Sequence, residues 1–405
     1  MRAAGTSHES LRRSAGASWY ELPEKKGDRR VSDPVYLDCN ASTPVLPRVR
    51  DAMVRALSEG FGNPSADHVY GRRARAFIET ARGEVAALLG ADADEIIFTG
   101  GATESNNLAL RGWSHEDAPR RIILSAVEHP ATLEPAALLG RDGATVLVVD
   151  VDRDGLIDLE GMRRALQRAD RDGPTLVSVL LAQNETGVIQ PMAEVARIAR
   201  EHGAIVHGDA AQAVGKIPVD VRALGVDLLS VAGHKLYAPK GVGALYVRRG
   251  LGLKPLVLGA GHERGIRPGT ENVAGIAGLG EACAMAREDL PVESARQRGL
   301  RDRLEQRLAK GGFILHGAGA RRLPNTVNGR FPGVRGDELA ARVPGIAFTT
   351  GSACHAGAMK ASRVLTAMGM ASEDALGAIR LTLGRLTTEG EIESAAALLL
   401  AAARR

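Results

Sequence analysis

Short apolar segments of this sequence are each followed by polar residues whose types could do chemistry. A glycine turn with a threonine follows EIIFT, Glu-His follows RIILSAV, Gln-Asn follows TLVSVLLA, and His-Lys follows LLSVAG, while IVHGD ends on an aspartate. The residues are Gly100, Gly101, Ala102, Thr103, Glu104, Glu128, His129, Gln183, Asn184, Asp209, His234 and Lys235. Each has an ordinary structural explanation, since aspartate commonly caps helices and most lysines are solvated. Their shared position after apolar segments indicates one functional edge.

Taken together, these residues meet the requirements of pyridoxal 5′-phosphate. That cofactor needs a lysine for a Schiff base, a carboxylate at the pyridine nitrogen and an anion site for its phosphate. Lys235 and Asp209 supply the first two at the ends of neighbouring predicted strands. The glycine turn at 100–104 opens a predicted helix, where unpaired N–H groups and the helix dipole favour an anion. The carboxylate would keep the ring nitrogen protonated, so that the ring can accept electron density.

The elements that must position these residues alternate between buried strands and amphipathic helices. Continuous apolar runs bounded by turn residues predict the strands, and apolar positions at helical spacing predict the helices. This alternation is typical of an α/β protein with a mostly parallel sheet covered on both faces. Ligands in such sheets bind beyond the carboxyl ends of the strands. The predicted strands are 95–99, 121–127, 144–150, 175–181, 205–209 and 228–231, with 243–247 antiparallel, and the predicted helices include 74–89, 159–169 and 192–202.

The pattern changes near residue 280 and divides the chain. Residues 1–33 lack periodicity and are predicted as a flexible N-terminal extension. Residues 34–283 form the predicted cofactor-binding domain, with residues 34–48 packing either within it or with the smaller domain. Residues 284–405 form a predicted smaller α+β domain, with a charged helix at 284–309 and short strands near 325–330 and 345–349. Its Gly/Ser/Ala-rich segment 351–362 is predicted as a loop.

Composition excludes several classes of protein. The 405 residues are 44% hydrophobic, too many for a disordered chain, and no apolar run reaches the length of a membrane span. Three cysteines cannot build a disulfide framework and show no paired zinc-ligand spacing, so we expect no metal and a reducing compartment. The near balance of charge, +4 overall, disfavours direct binding of nucleic acid. With no secretory signal evident, we expect a cytoplasmic protein.

Longer motifs surround the candidate residues. They are YLDCNASTP (36–44), FTGGATESNNLAL (98–110), VEHPA (127–131), QNETGVIQP (183–191), HGDAAQAVGKIPVD (207–220), AGHKLYAPKGVGALYVRRG (232–250), TGSACHAG (350–357) and IRLTLGRLTTEGEI (379–392). In type and order, over residues 35–405, they resemble the cysteine desulfurases of the class V aminotransferase family. The resemblance implies a fold type I PLP-dependent transferase, with a mostly parallel sheet in a large domain and a smaller α+β C-terminal domain, acting as a homodimer.

The resemblance implies a role for each residue of the predicted cofactor site. Lys235 would bind the cofactor covalently, Asp209 would pair with the ring nitrogen, and His129 would stack on the ring. Two amide side chains would bond the ring hydroxyl or the substrate side of the cofactor, and four groups would hold its phosphate. The amides are Gln212 and Asn184, and the phosphate groups are the Ala102 N–H, Thr103, His234 and, from the second subunit, Thr270.

The resemblance also implies how L-cysteine would react. Arg385 would clamp the substrate carboxylate, a planar task that suits a guanidinium group. The Cys354 thiolate would attack the substrate sulfur and become a persulfide while L-alanine forms, with His129 moving protons. The length of the segment after Cys354 resembles the long-loop branch of the family, in which the thiol reaches both substrate and acceptor. Cys39 and Cys283 lack such a setting and are predicted to be structural.

Two positions depart from the family pattern. Ala232 replaces the serine that commonly binds phosphate before Gly-His-Lys, and His355 follows the cysteine where Ser or Thr is usual. His355 either lowers the thiol pKa or faces solvent. The motifs HERGIRPGTEN, RLPNT and ACH also resemble selenocysteine lyase, which keeps the cofactor and changes the substrate. A catalytically silent scaffold is the alternative from another class, and the intact lysine, aspartate and cysteine disfavour it.

The motifs leave the sulfur acceptor open. The resembled family supplies sulfur for iron–sulfur assembly, thio-tRNA, cofactor synthesis and DNA phosphorothioation. The SACHAG segment indicates a specialised member rather than a housekeeping one. General resemblance favours an acceptor protein of DNA phosphorothioation, with an iron–sulfur protein as the alternative.

Overall fold

The apolar runs predicted as strands form the core of this computed structural model. The structure describes residues 33–113, 121–169, 173–355 and 358–404, and for 352–355 and 358–359 the backbone alone. In chain order the strands are β1 (Val35–Tyr36), β2 (Ile96–Thr99), β3 (Arg121–Ser125), β4 (Thr145–Val149), β5 (Thr175–Leu180), β6 (Ile205–Asp209), β7 (Leu228–Ala232), β8 (Gly243–Val247), β9 (Ile314–Leu315), β10 (Thr326–Arg330), β11 (Ile346–Ala347), β12 (Thr349–Thr350), β13 (Ser352–His355), β14 (Ala358–Ala361) and β15 (Ala378–Thr382). The seven predicted for the large domain are all present.

Helices connect most of these strands. In chain order they are α1 (Pro47–Glu59), α2 (Val69–Leu89), α3 (Ala102–Asn107), α4 (Pro130–Arg141), α5 (Leu159–Ala169), α6 (Met192–Glu201), α7 (Val221–Leu224), α8 (Val273–Ala309), α9 (Gly336–Arg342), α10 (Arg363–Ala367), α11 (Ser372–Leu376) and α12 (Glu389–Ala403). Helix α3 continues as a wider π-helical turn through Gly112, and Gly233–Lys235 forms a 3-10 turn. The predicted helices at 74–89, 159–169 and 192–202 correspond to α2, α5 and α6.

The central sheet has seven strands in the order β2-β8-β7-β6-β5-β3-β4. From β7 to β4 the neighbours run parallel, whereas β8 is antiparallel to both β7 and β2. Separate apolar clusters cover its two faces, which explains why its strands are apolar throughout rather than alternating. The prediction of a mostly parallel sheet with an antiparallel strand at 243–247 is confirmed. The carboxyl ends of β5, β6 and β7 therefore meet at one edge.

The C-terminal part of the chain builds a second, antiparallel sheet. Its order is β12-β15-β10-β9, and its core includes residues of α8 and α12. Strand β1 pairs in parallel with β11, and Asp38 forms a bridge with Thr382 at the end of β15. Residues 35–38, just after the N-terminal extension, therefore associate with this C-terminal part of the chain.

Helix α8 is longer than its charged segment suggests. The sequence predicts a helix from residue 284, but α8 begins at Val273, where the Asn272 side chain accepts a hydrogen bond from Gly275 N. The added segment, VAGIAGLGEAC, is rich in small residues because it packs closely against α2. A Cβ on Gly280 would lie 2.5 Å from the Cα of Ala81. Close packing against α2, rather than amphipathic spacing, determines where α8 begins. Helix α8 therefore crosses the domain boundary predicted at residue 283.

The Gly/Ser/Ala-rich segment 351–362 contains more regular structure than predicted. Strands β13 and β14 form an antiparallel hairpin in which Cys354 pairs with Met359. The sequence predicts a loop here because small residues favour turns, whereas backbone pairing needs no particular side chain.

None of the helices in the described part of the chain is long and apolar enough to cross a membrane.

Candidate active site

A cavity of about 1000 Å³ lies at the carboxyl edge of the parallel strands. It gathers side chains from the loops after β2, β3, β5, β6 and β7, as the sequence predicts. The predicted site residues that line it are Ala102, Thr103, His129, Asn184, Asp209, Gln212, His234 and Lys235. Ala232 and Arg380 also line the cavity. Arg385 and Thr270 lie outside this lining.

The turn between β2 and α3 borders the cavity and is its candidate anion site. Gly101 has φ of 143°, a value that favours glycine, and α3 begins at the next residue. The Glu104 carboxylate accepts a hydrogen bond from Gly100 N at 2.7 Å and pairs with Arg267 at 2.9 Å. The first N–H groups of a helix have no acceptor within the helix. The sequence thus folds here into a fixed turn suited to a phosphate group.

Asp209 ends β6 with its carboxylate held from two sides. One oxygen accepts from Ala211 N at 2.9 Å, and the other accepts from Asn106 Nδ2 at 2.7 Å. Asn106 also donates to Thr132 Oγ1 at 3.1 Å. The carboxylate is buried, so a cationic ring nitrogen would complete its charge balance. Asn106, which the sequence analysis missed, fixes the orientation of this group.

Lys235 follows the neighbouring strand β7 in a constrained turn. Thr43 holds the turn: its N–H and hydroxyl both donate to His234 O, and its hydroxyl accepts from Tyr237 N at 2.8 Å. Tyr237 has φ of 65°, a left-handed conformation rare outside glycine. Burial and the charge of Arg380 lower the pKa of Lys235, while the Asp209 charge opposes the shift. A larger fraction of the amine is therefore neutral and nucleophilic.

Burial favours the neutral form of two histidines of the cavity. His129 caps α4, and its Nδ1 accepts from Ala131 N at 3.1 Å, which leaves the proton of neutral imidazole on Nε2. Burial lowers the pKa of His129. Burial, with the charge of Lys235, lowers the pKa of His234 to about 4. Neutral rings can stack on a cofactor ring or bond a phosphate through N–H.

The structure does not bring Arg385 to the cavity. Its guanidinium group forms two hydrogen bonds to Asp289, at 2.6 and 2.7 Å, and lies over the ring of Tyr237. Its backbone N–H donates to the Tyr237 hydroxyl at 2.7 Å. Arg385 follows the end of β15, so its side chain contacts helix α8 and the turn after Lys235. Arg385 is therefore not placed to clamp a substrate in the cavity as predicted, and the arginine of the same motif that lines the cavity is Arg380.

Arg380 lies in the middle of β15 and lines the cavity. It is buried, donates to Asp38 Oδ1 at 2.7 Å and to Thr349 Oγ1 at 2.9 Å, and reaches Asn184 O at 3.2 Å. Its Nε is buried without a hydrogen-bond partner among the described residues. An arginine buried within an apolar strand is the sequence signal that could have identified it, because buried charges require partners or ligands.

Two other predicted residues remain outside the cavity as described. Thr270 is exposed, so its role as a phosphate ligand for a second subunit stays a prediction. The backbone of Cys354 lies in β13, but its side chain and that of His355 fall outside the described atoms. Cys283 is a buried thiol whose pKa is raised by burial, which disfavours the reactive thiolate. Cys39 is likewise a buried thiol.

Comparison with known proteins agrees with this geometry. The aminotransferase class-V family profile matches residues 35–394. A cysteine desulfurase IscS from Anaeromyxobacter sp. (strain K) is 44% identical over 373 residues, which are 89% of this chain and 90% of that protein. The solved structure of a NifS-like protein aligns with TM-score 0.84 at 38% identity, covering 91% of this chain and 98% of that one. A structure of SspA in complex with cysteine aligns with TM-score 0.76 at 34% identity, covering 86% and 98%.

Members of this family use pyridoxal 5′-phosphate, and the cavity residues fit it. Asp209 is an oriented carboxylate for the ring nitrogen, the turn at 100–103 offers an anion site, and Lys235 offers an amine of lowered pKa. When bound, the cofactor supplies an electron sink for bond cleavage at the substrate. The residues that would hold it come from the ends of β2, β6 and β7, in the order of the family motifs. The family profile matches most of the chain, and the relatives and the cavity geometry agree with it. The chain therefore belongs to the cysteine desulfurases of the aminotransferase class-V family.

Proposed function

We propose that this chain removes the sulfur of L-cysteine, releases L-alanine, and passes the sulfur from Cys354 to an acceptor thiol. The observation that best supports this function is the placement of Lys235, Asp209, the anion turn and Arg380 around one cavity. The same cavity could serve other reactions of an amino acid. Sulfur transfer is favoured among them because Cys354 lies on a hairpin whose following residues, Ser362 and Arg363, bond Glu185 and the Glu128 backbone oxygen, neighbours of lining residues. The relative SspA was solved with cysteine, which supports this amino acid as the substrate.

Each cavity residue has a task in this reaction. Arg380 binds the substrate carboxylate with the donors that face the cavity, and Asn184, whose backbone oxygen it contacts, borders the same end. Lys235 Nζ takes the α-proton of the substrate and returns a proton to the product. His129, neutral at physiological pH, carries protons between the substrate and solvent. The other cavity residues hold the cofactor.

The sulfur transfer is a displacement that needs no external oxidant. The Cys354 thiolate attacks the substrate sulfur, and the new S–S bond forms as the substrate C–S bond breaks. The electron pair of that bond stays with the substrate carbon, which takes up a proton and becomes the methyl group of L-alanine. An acceptor thiolate then attacks the outer sulfur of the persulfide and regenerates the Cys354 thiolate.

The proposal includes a homodimer and an acceptor protein. Thr270 lies on an exposed segment together with Val257 and Leu258, which are 67% and 87% exposed, as expected of a surface covered by a second subunit. The acceptor is a protein thiol, either of DNA phosphorothioation or of iron–sulfur assembly. Cys39 and Cys283 are buried and form no disulfide, which suits the cytoplasmic location that we propose.

The experiment is to incubate purified holoenzyme with L-cysteine and to measure both alanine and Cys354 persulfide. We expect equal amounts of the two in a single turnover without reductant. Cys354→Ser should keep the cofactor absorbance and lose both products, whereas Cys283→Ser, the matched control, should retain both. Full alanine formation by Cys354→Ser would contradict the proposal. Repeating the assay with L-selenocysteine separates this function from a selenocysteine lyase, which would keep its selenium activity without Cys354.

A further inference from the structure

A buried lysine lies behind the cavity with no assigned task. Lys216, in the motif AVGKIP, is 7% exposed, and its Nζ contacts Gln212 Oε1 at 2.7 Å and Asn40 Oδ1 at 3.2 Å. Among the described residues no carboxylate forms an ion pair with it. Burial and the charge of Lys235 lower the pKa of Lys216 to about 7. Burying an amine among neutral hydrogen-bond partners costs free energy, so a role for these contacts is expected.

The contacts of Lys216 fix the orientation of the Gln212 amide. The Asn40 backbone oxygen only accepts, so the amide atom 2.8 Å from it must be Nε2, which donates to it. The other amide atom, Oε1, therefore lies 2.7 Å from Lys216 Nζ, whose N–H groups donate to it. The amide keeps one Nε2–H for a further acceptor.

Asn40 is itself fixed, so it cannot turn to accommodate a flipped Gln212. Its Nδ2 donates to Asn184 O at 3.2 Å and to Thr326 Oγ1 at 2.9 Å. Its Oδ1 accepts from Asn325 Nδ2 at 3.0 Å as well as from Lys216. Asn40 is 1% exposed and Gln212 is 3% exposed, so water cannot readily replace these partners. The side-chain amide of Asn40 thus has a hydrogen-bond partner at both its nitrogen and its oxygen.

We propose that Lys216 is a positioning residue that holds Gln212 with its Nε2–H available to an acceptor in the cavity, the ring oxygen of pyridoxal 5′-phosphate. The proposal rests on the cofactor of the proposed function and deepens it. A donor at the ring oxygen stabilises the ionised form of that oxygen. Without Lys216 the amide would keep only its bond to the Asn40 backbone oxygen, and Nε2 would no longer be held toward the ring oxygen. Lys216 would thereby set the protonation of the bound cofactor without touching it.

The test is a pH titration of the visible absorbance of the holoenzyme in the absence of L-cysteine. Lys216→Met and Gln212→Leu should each raise the midpoint of the absorbance change, by about one pH unit, because the ring oxygen loses its donor. In the double variant the midpoint should equal that of Gln212→Leu alone. Residues that act through one another are non-additive in such a cycle, whereas independent charge effects add.

Lys240 provides the control for charge, because it lines the cavity and has no hydrogen bond to Gln212 among the described contacts. Any shift caused by Lys240→Met should persist in the Gln212→Leu background. The proposal is overturned if Lys216→Met leaves the midpoint unchanged, or if its shift persists fully in that background.

A second measurement needs no variant, in case Lys216→Met does not fold. In a crystal structure of the wild-type holoenzyme, the Gln212 atom nearest the ring oxygen should be the one that does not contact Lys216. If the atom bonded to Lys216 also faces the ring oxygen, the proposal fails. Both measurements use the bound cofactor without turnover, so failure of the desulfurase function itself would not alter their outcome.

Discussion

Replacing Arg380 with lysine tests the assignment of the substrate carboxylate most sharply. Lysine keeps one positive charge and can still reach Asp38, which Arg380 contacts at 2.7 Å. It loses the planar pair of donors that binds a carboxylate from two atoms. Arg385→Lys is the matched control, since that arginine belongs to the same motif but pairs with Asp289 outside the cavity.

The expected size of the effect follows from the lost hydrogen bond. A hydrogen bond to a charged group contributes ~1.5–3 kcal/mol, and about 1.4 kcal/mol corresponds to tenfold in an equilibrium constant. Arg380→Lys should therefore raise the KM for L-cysteine by about 10- to 150-fold. The Asp289 partner of Arg385 is 43% exposed, so Arg385→Lys should lower stability by at most ~1 kcal/mol and leave KM within about twofold.

The assay is the initial rate of alanine formation over a range of L-cysteine concentrations, with the cofactor absorbance recorded for each variant. Equal absorbance in both variants would show that the cofactor site is intact. An unchanged KM in Arg380→Lys, or a larger rise in Arg385→Lys, would refute the assignment and restore Arg385 as the carboxylate ligand.

Three further predictions concern the rest of the site. Asn106→Leu removes a hydrogen-bond donor to the Asp209 carboxylate and should lower the rate of alanine formation at saturating cofactor by about tenfold or more. An unchanged rate would mean that Asn106 does not orient this carboxylate. Ala232→Ser adds a hydroxyl at the cavity wall and should lower the Kd for pyridoxal 5′-phosphate about fivefold, the effect of ~1 kcal/mol, whereas weaker binding would place the phosphate elsewhere. Because burial lowers the pKa of His129, an NMR titration of its imidazole ring in the holoenzyme should have a midpoint below the ordinary value of 6.5, whereas a midpoint above 6.5 would contradict a neutral His129.

The sequence predicts the sheet and the edge at which the site lies because both depend on local patterns. Continuous apolar runs mark β3, β5 and β6, and parallel pairing of β6 with β7 brings Asp209, at the end of β6, to the same edge as Lys235, in the turn after β7. Both residues could be placed without knowing any tertiary contact, since each lies at or just after the end of an apolar run.

The sequence alone could not distinguish which of Arg380 and Arg385 faces the cavity. Both lie in one motif, and only the end of β15 at Thr382 decides which of them faces the cavity. Asn106 could not be identified from the sequence because its partner Asp209 is distant, and Lys216 could not because only the tertiary structure buries it beside Asn40 and Gln212. The helical segment from Val273 lacks amphipathic spacing and forms because its small residues pack against α2, an effect that only the tertiary structure reveals.

The most direct measurement of the central claim is mass spectrometry of the three cysteine peptides after one turnover. Holoenzyme is mixed with L-cysteine in the absence of reductant, alkylated at once, and digested. The proposed function predicts the added sulfur atom on the peptide of Cys354, in an amount equal to the alanine released. Sulfur on Cys39 or Cys283, or alanine released with no sulfur on Cys354, would contradict it.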